Sequence, residues 1–481
     1  VVVEKATTWQ YRSNQVGCIG GKIQEDLGIH IDKNAAVGQI MKECGYRPNQ
    51  RILNLWADNS GEAFDWFLAA SEGQYVMEAE SDTYDGTSMS VRKMHWPHPA
   101  EANVADDFYP IFDDCQICLP DNGPYIQNMV DICEKAGVQF LYSTFARQLV
   151  RPDNAGRVEG VIVEDENGDY KKITASKAVL LATGDYASNA EMMSYYVPWS
   201  DRFMSIFPNV DAKGEKTNTG DGQQMGMWIG AKMEDGPHAP MTHHLGGPLG
   251  MDAFLLVDIN GERFMNEDQC YPMSYAGGAN QPGHFSWIVW DGSYWEDIEQ
   301  FDTGGCSRLF PAPSGTAFNA DVYDCEAITK EHLDSFWLEP RIESGALKKC
   351  DTLDELTKAM KLDADQAAAF KATIERYNEL VAAGEDVDFG KPAYRLSAVD
   401  EPPFYAARIA GELLVTIHGV ITNADSQPLR KDGSVIDGLY VCGNDQGGFY
   451  PHNYPSNFTG INAGRTATFA RIAAKHALGA A

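Results

Sequence analysis

The chain has no G-x-G-x-x-G anywhere in its 481 residues, and so lacks the turn by which a dinucleotide-binding unit ordinarily takes a pyrophosphate. The nearest run, "GDGQQMG", has the wrong spacing and follows no buried parallel strand. Also missing is any stretch of about 18 apolar residues, which excludes a membrane-spanning helix. Positive charge is scarce: 38 Lys and Arg stand against 69 Asp and Glu, a formal net charge of −31. Such a balance argues against nucleic acid and anionic membrane surfaces as partners and fits a soluble enzyme, cytoplasmic or exported behind a leader not seen here. The ten cysteines follow no disulfide framework, and the single local pair, Cys115 and Cys118, has no second C-x-x-C to complete a four-thiolate set. Leu119 rather than His follows that pair, which removes covalent haem. Redox activity or half of a metal site stands as one reading of the pair, and ordinary surface-loop cysteines as the other. No cluster of His and carboxylates has metal-ligand spacing, so no catalytic metal is expected.

What is present can bury a large core: 44% of residues are hydrophobic and 11% aromatic. The length allows two domains, or one domain carrying a substantial insertion. The opening "VVVEKATTWQ" reads as a buried parallel strand that ends on an acid, Glu4. In a dinucleotide-binding unit such an acid accepts from a ribose hydroxyl and lies about 20 residues after the Gly-rich turn. That turn is therefore expected before Val1. A loop follows in "YRSNQVGCIGG", and then helical spacing in "RILNLWADNSGEAFDWFLAA". Residues 123–151 read as helix then strand, and residues 156–185 as hairpin strands ending on "AVLLATG". This last is predicted to be a buried strand that delivers Ala182, Thr183 and Gly184 at its carboxyl end, where open α/β sheets bind ligands. The texture changes between residues 242 and 400 to short strands and a long helix, then returns to strand chemistry and a closing helix rich in small residues.

Seven stretches, in order, resemble one family: "VVVEK", "AVLLATGDYASN", "NTGDGQQMGMWIGAK", "INGERFMNE", "TIERYNELVAAGEDVDFGK", "PPFYAARI" and "GLYVCGNDQGG". They are similar to flavoproteins that include fumarate reductase, the succinate dehydrogenase flavoprotein subunit, urocanate reductase and the 3-ketosteroid dehydrogenases. The resemblance implies an α/β fold, with a Rossmann-like FAD-binding domain in residues 1–241 and 401–481 and an inserted α+β capping domain in residues 242–400. It implies FAD as cofactor, with Glu4 on the adenosine ribose and Lys5 and Ser13 nearby. Gly20 and Gly21 would let the backbone approach a large flat ligand. Ala182, Thr183 and Gly184 would meet the same ligand, as would Thr219, Gly220, Asp221 and Gly222, whose turn opens a helix toward it. Gly443 and Asn444 complete the set with Gly460 and Ile461, where the positive end of the last helix would stabilise the anion developing at flavin N1/O2. The plainer reading makes these glycines turn residues only.

Family fumarate reductases hold a dicarboxylate with arginines, one of which delivers a proton. Alignment puts Tyr271 and Tyr454 at two of those places, and Leu414 and Val415 where paired histidines would stand, with His418 close by. A phenol cannot replace bidentate carboxylate binding, so a dicarboxylate substrate is not expected. The tyrosines instead resemble the 3-ketosteroid branch, here as "NEDQCY" and "HNYP", although Ser456, Asn457 and Phe458 replace the glycines that follow in that branch. The resemblance thus implies hydride exchange between flavin N5 and a carbon conjugated to a carbonyl, with reacting atoms about 3–3.5 Å apart. Tyr271 would donate the proton and Tyr454 polarise the carbonyl. Each tyrosine also has a structural reading, as a packing aromatic or a loop phenol. His243, His244, His452 and His418 are substrate contacts or structural histidines on the same footing. Reduction of an enone or enoate, the reverse reaction on a 3-ketosteroid, and an electron-transfer subunit without its own substrate are the three functions these features permit. No second nucleotide motif suggests direct NAD(P)H use, so electrons are expected from an external redox protein, reduced flavin or quinol.

Overall fold

Two short parallel ribbons carry the ends of the chain. Val2–Val3 pairs with Phe140–Leu141, and Val179–Leu181 pairs with Leu439–Val441. A computed structural model describes the chain apart from residues 12–14, 79–87, 94–115, 120, 203–204, 207–208, 212–213, 239, 244–252, 269–277, 302–309, 312–316, 319–329, 452, 456–457, 459 and 481. The runs are less buried than their apolar character predicts at Val1, Val2 and Leu180, which are 64%, 41% and 42% exposed, whereas Leu181, Leu439 and Val441 lie in a core. The reason is that Val2–Val3 and Val179–Leu181 each have one hydrogen-bonded neighbour among the described strands, which leaves an edge and part of a face without cover. The predicted hairpin forms as Gly160–Glu164 against Tyr170–Thr174.

"RILNLWADNSGEAFDWFLAA" folds as one long helix, Gln50–Ala69. Asn49 caps it by accepting from the Arg51 N–H at 3.2 Å. Its buried side, Ile52, Leu53, Trp56, Ala57, Ala63, Phe64 and Leu68, recurs at the three- and four-residue spacing of an amphipathic helix. It packs against the closing helix Ile461–Leu478, and residues 17–21 run close to both. Only glycine permits this passage. A Cβ on Gly61 would stand 0.9 Å from the Gly20 carbonyl oxygen, and one on Gly464 would stand 1.7 Å from that of Gly17. Gly61→Ala is therefore expected to destabilise the protein by about 1–3 kcal/mol or more through overpacking. Urea denaturation measures this, and an unchanged midpoint would mean that the loop does not run there.

A four-stranded antiparallel sheet is built from Leu255–Val257, Ser286–Trp290, Phe404–Ile409 and Leu347–Cys350. Alternate residues of its central strand feed two cores: Ile288 and Trp290 join Phe254, Tyr294 and Tyr405, whereas Trp287 and Val289 join Phe370, Ile374 and Tyr377. The last three sit on the helix Ala364–Ala383, which starts in a capping box of Asp363 and Gln366 and stops at Gly384, φ 67°. The chain reaches this region along Pro240–His243 and comes back along Glu412–Thr416. The two strands are antiparallel neighbours, with His243 opposite Glu412.

Cys118 lies in the strand Gln116–Leu119, buried and with its thiol free, which corrects the surface-loop reading; burial pushes the thiol up. Cys115 lies outside the described residues. Among the described residues no helix is long and apolar enough to cross a membrane.

Candidate functional site

The carboxyl ends of the two ribbons and the start of the closing helix hold most of the predicted ligand-binding residues. Glu4 follows Val2–Val3, and its carboxylate accepts from the Ala6 N–H at 2.7 Å. Lys5 crosses to the turn before the helix Asp221–Trp228, donating to Thr219 Oγ1 at 2.7 Å, Asp221 Oδ2 at 2.8 Å and the Thr217 carbonyl at 3.2 Å. Residues predicted as separate ligands are thus one connected group. The Lys5–Asp221 pair is only partly exposed, 18% and 31% at the side chains. Lys5→Met is expected to destabilise the protein by about 1.5–3 kcal/mol, the usual weight of a hydrogen bond to a charged group. It should also loosen any ligand held by this turn. Denaturation curves and flavin retention on gel filtration test both effects, and parent values for both would show that the pair does not organise the turn.

Three further segments meet at one carboxylate. The Thr183 N–H donates to Asp445, Thr183 Oγ1 donates to Asp445 Oδ1 at 3.0 Å, and the Gly222 N–H donates to Thr183 Oγ1 at 2.9 Å. A Cβ on Gly222 would stand 2.4 Å from both of those side-chain oxygens, which explains glycine at this position. Asp445 is fully buried, and burial pushes its pKa up to about 7 against the downward pull of the Thr183 hydrogen bonds. The sequence reading stopped at Gly443 and Asn444 and missed it. Its signal is an acid directly after a strand end, in "LYVCGND". Gln223 Nε2 adds a second clamp by donating to the carbonyls of Gly184 at 2.9 Å and Asn444 at 3.1 Å.

On the closing helix, Asn462 Nδ2 donates to Asn444 Oδ1 at 3.0 Å, and Arg465 Nη2 donates to the Gly443 carbonyl at 2.8 Å. Gly460 opens this helix at φ 73° with no side-chain cap, and its carbonyl accepts from the Gly17 N–H at 2.9 Å. Three observations suit a large ligand laid along these ends. Added Cβ atoms on Gly20 and Gly184 would meet nothing within 4 Å, so space is open beside both backbones. Asn462 Oδ1 is buried with no hydrogen-bond partner among the described residues. The helix N-terminus leaves its own N–H groups for an incoming acceptor. The residues present therefore fit a flat, hydrogen-bonding cofactor, with Glu4 at one end and Asn444, Gly460 and Asn462 at the other.

Of the predicted substrate residues, Tyr454 is buried, 7% exposed, with its ring edge-on to that of Tyr450 at 5.3 Å. Its segment is moored to the N-terminal helices. Cys44 Sγ donates to the Asn453 carbonyl at 3.2 Å, Asn453 Nδ2 to the Glu43 carbonyl at 3.3 Å, and the Asn49 N–H to the Gly448 carbonyl at 3.0 Å. His418 is buried in a column of flat rings, 4.5 Å from His238, which lies 4.6 Å from Tyr196. His238 Nε2 is 3.0 Å from the Glu234 carbonyl and its Nδ1 is 2.5 Å from the Tyr186 hydroxyl. A carbonyl only accepts, so Nε2 carries the proton, and Nδ1 shares a hydrogen bond with the Tyr186 hydroxyl. His243 ends the strand Pro240–His243. Ser13, His244, Tyr271 and His452 lie outside the described residues.

A family model described as "FAD binding domain" matches residues 20–458. Among curated proteins, a 3-oxosteroid 1-dehydrogenase of Mycolicibacterium smegmatis is 30% identical over 380 residues, covering 71% of this chain and 59% of that enzyme. A vinyl phenol reductase of Lactiplantibacillus plantarum is 28% identical over 488 residues, 95% of this chain and 86% of that enzyme. The chain thus spans about three fifths of the first relative's length and most of the second's. Among solved structures, the open conformation of a flavocytochrome c3 fumarate reductase superposes with a TM-score of 0.66 at 23% identity, over 99% of this chain and 74% of that one, a likeness of fold.

Proposed function

Because the chain belongs to the FAD-binding-domain family, whose cofactor is FAD, we propose that it is an FAD-dependent oxidoreductase that reduces a carbon–carbon double bond conjugated to a carbonyl. The observation that carries this reading is Tyr454. The alignment sets this position against an arginine of the dicarboxylate enzymes, and the phenol is buried in a segment moored to the N-terminal helices. A phenol at that place suits a single polarised oxygen rather than a carboxylate. Relatives named for a 3-oxosteroid and a vinyl phenol are in keeping with a substrate that is not a dicarboxylate, whereas a probable fumarate reductase of Shewanella frigidimarina, 28% identical over 96% of this chain, favours a dicarboxylate.

When bound, FAD supplies the hydride. The chain supplies the rest. Tyr454 donates a hydrogen bond to the carbonyl oxygen as negative charge grows there. Tyr271 gives a proton to the carbon that does not receive the hydride. Glu4 takes the ribose, the Asp445–Thr183–Gly222 knot fixes the strand end, and the positive N-terminus at Gly460 favours a reduced, anionic cofactor. Electrons enter from an external reductant, a redox protein, reduced flavin or quinol.

The same two phenols serve the reverse reaction, and the 3-oxosteroid 1-dehydrogenase among the relatives favours that second reading. Anaerobic titration separates the two. Reduced protein that is reoxidised by enones, while oxidised protein is not bleached by saturated ketones, supports the reductase. Bleaching by saturated 3-ketones with no response to enones would replace it with the dehydrogenase. Response to neither would leave an electron carrier without its own substrate.

A further inference from the structure

Arg465 is wholly buried on the closing helix, where an apolar side chain of similar size would cost less. Its Nη2 donates to the Gly443 carbonyl at 2.8 Å and to Asn444 Oδ1 at 3.1 Å, whereas Nε and Nη1 have no hydrogen-bond partner among the described residues. The guanidinium carbon lies 4.7 Å from the centre of the Tyr450 ring and 5.4 Å from that of Phe449. A buried cation so sparsely satisfied asks for a role, and its one side-chain partner is Asn444.

An amide can turn either end toward a neighbour. Asn462, an amide as well, pairs equally with an oxygen or a nitrogen, so these two residues alone leave the orientation of Asn444 open. A guanidinium has five donors and no acceptor, and only an oxygen satisfies it. Arg465 therefore obliges Asn444 to turn Oδ1 toward the closing helix, where Asn462 Nδ2 also donates to it at 3.0 Å. Gln223 Nε2 holds the main chain of the same residue, donating to the Asn444 carbonyl at 3.1 Å. Both side-chain hydrogen bonds that Asn444 makes with described residues end on Oδ1, and the residue is only partly buried. Its Nδ2 is left as an oriented donor beside the first turn of the helix.

We propose that Arg465 is a positioning residue for the cofactor, fixing the Asn444 amide so that Nδ2 is presented to an acceptor oxygen of FAD. The inference rests on the reading of Asn444 as a ligand of FAD. Both the ring carbonyls and the ribityl hydroxyls of that cofactor offer such an oxygen. A donor turned in advance spares the ligand the cost of turning it, whereas an Asn444 without Arg465 spends part of its time offering Oδ1, which repels a carbonyl.

The test strips FAD from the protein and titrates it back, reading affinity from the quenching of flavin fluorescence. Asn444→Leu is expected to weaken FAD about tenfold, the weight of one hydrogen bond. Asn444→Asp should weaken it at least as much, because the carboxylate keeps both inward bonds and puts an acceptor where the donor stood. Arg465→Gln, whose amide accepts as well as donates, should weaken FAD by about three- to tenfold. Arg465→Lys, again donor only, should stay within about twofold of the parent. In the Asn444→Leu background the Arg465→Gln loss should vanish, since the residue through which it acts has gone. An arginine that only supports the fold would give the same loss in both backgrounds, and that result would overturn the proposal, as would a lysine variant no better than the glutamine one. If Arg465→Gln does not fold, Asn444→Asp decides: a loss there supports the oriented donor, and parent affinity beside a weakened Asn444→Leu overturns it. Parent affinity in both Asn444 variants would overturn instead the reading of Asn444 as a ligand of FAD.

Discussion

Tyr454→Phe is expected to lower kcat on a conjugated enone by about 10²–10⁴-fold, the usual weight of a positioned proton or hydrogen-bond donor. The ring is buried against Tyr450, and phenylalanine fills the same volume, so the change removes the hydroxyl and little packing. If the hydroxyl strengthens its hold only as charge develops on the substrate oxygen, kcat and kcat/KM fall together and KM stays near the parent value. Tyr271→Phe is expected to lower kcat over a similar range, because proton delivery to carbon completes the reduction. The two losses should not add, since both groups serve one transition state. Steady-state rates with a reduced viologen and a panel of enones measure the two single variants and the double variant. Two single variants within twofold of the parent on every enone that the parent reduces would remove the tyrosines from the chemistry.

The second large effect is structural. Arg263→Met is expected to cost about 3–5 kcal/mol of folding stability, as breaking a buried ion pair does. Arg263 donates from Nε and Nη2 to Glu267 at 2.9 and 2.8 Å and from Nη2 to Asp386 at 2.8 Å. Both carboxylate side chains are 0% exposed and the guanidinium side chain is 6% exposed. Lys391, also buried, lies 3.4 Å from Glu267 and donates to the Tyr377 hydroxyl at 2.7 Å and to the Ala253 carbonyl. Two cations thus balance two anions, and the variant would leave two buried carboxylates to one lysine. The same knot predicts an acid limb. Burial alone would raise the Asp386 pKa, but the Arg263 hydrogen bond, the backbone N–H groups of Lys391 and Phe389 and the Arg263 charge together outweigh it and hold the carboxyl down at about 2, below its ordinary 3.8. A carboxyl depressed in the fold contributes stability above its unfolded pKa and loses it as pH falls through the folded one. Parent stability should therefore drop between about pH 4 and pH 2 more steeply than that of the variant. Urea midpoints across that window give both numbers, and a loss under about 1 kcal/mol at neutral pH would show that water screens the group.

That knot also explains why "INGERFMNE" was legible as a unit. Arg263 and Glu267 stand four residues apart in it and bind each other directly. Local features of this kind were open to sequence reasoning: the capped helix Ala364–Ala383, the hairpin of residues 160–174, and the strand end at Ala182–Gly184. Partners distant in the chain were not. Nothing near Lys5 announces that it will meet Asp221, 216 residues on, nor does Thr183 point to Asp445 across 262 residues. Apolar runs record what should be covered, not whether a neighbour covers it, and so the strands at Val2 and Leu180 were expected to be more buried than they are. Gly61 sat in a helical pattern where glycine is unfavourable, a signal of close approach that names no partner. Arg465 gave no signal at all, since a lone charge in a helical pattern reads as a solvated one.

Pro240–His243 and Glu412–Thr416 run side by side, with His243 opposite Glu412. Directly opposed residues in an antiparallel pair are about 4.5–5.5 Å apart, a gap that a two-residue turn closes. The chain between them, residues 244–411, therefore leaves and rejoins the framework at adjacent points of one antiparallel strand pair. In genetic terms this strand pair is a cassette junction. A chain in which a short turn replaces residues 244–411 is expected to keep the register of the strands it joins, and a different unit spliced at the same two residues would enter and leave at one point of the framework.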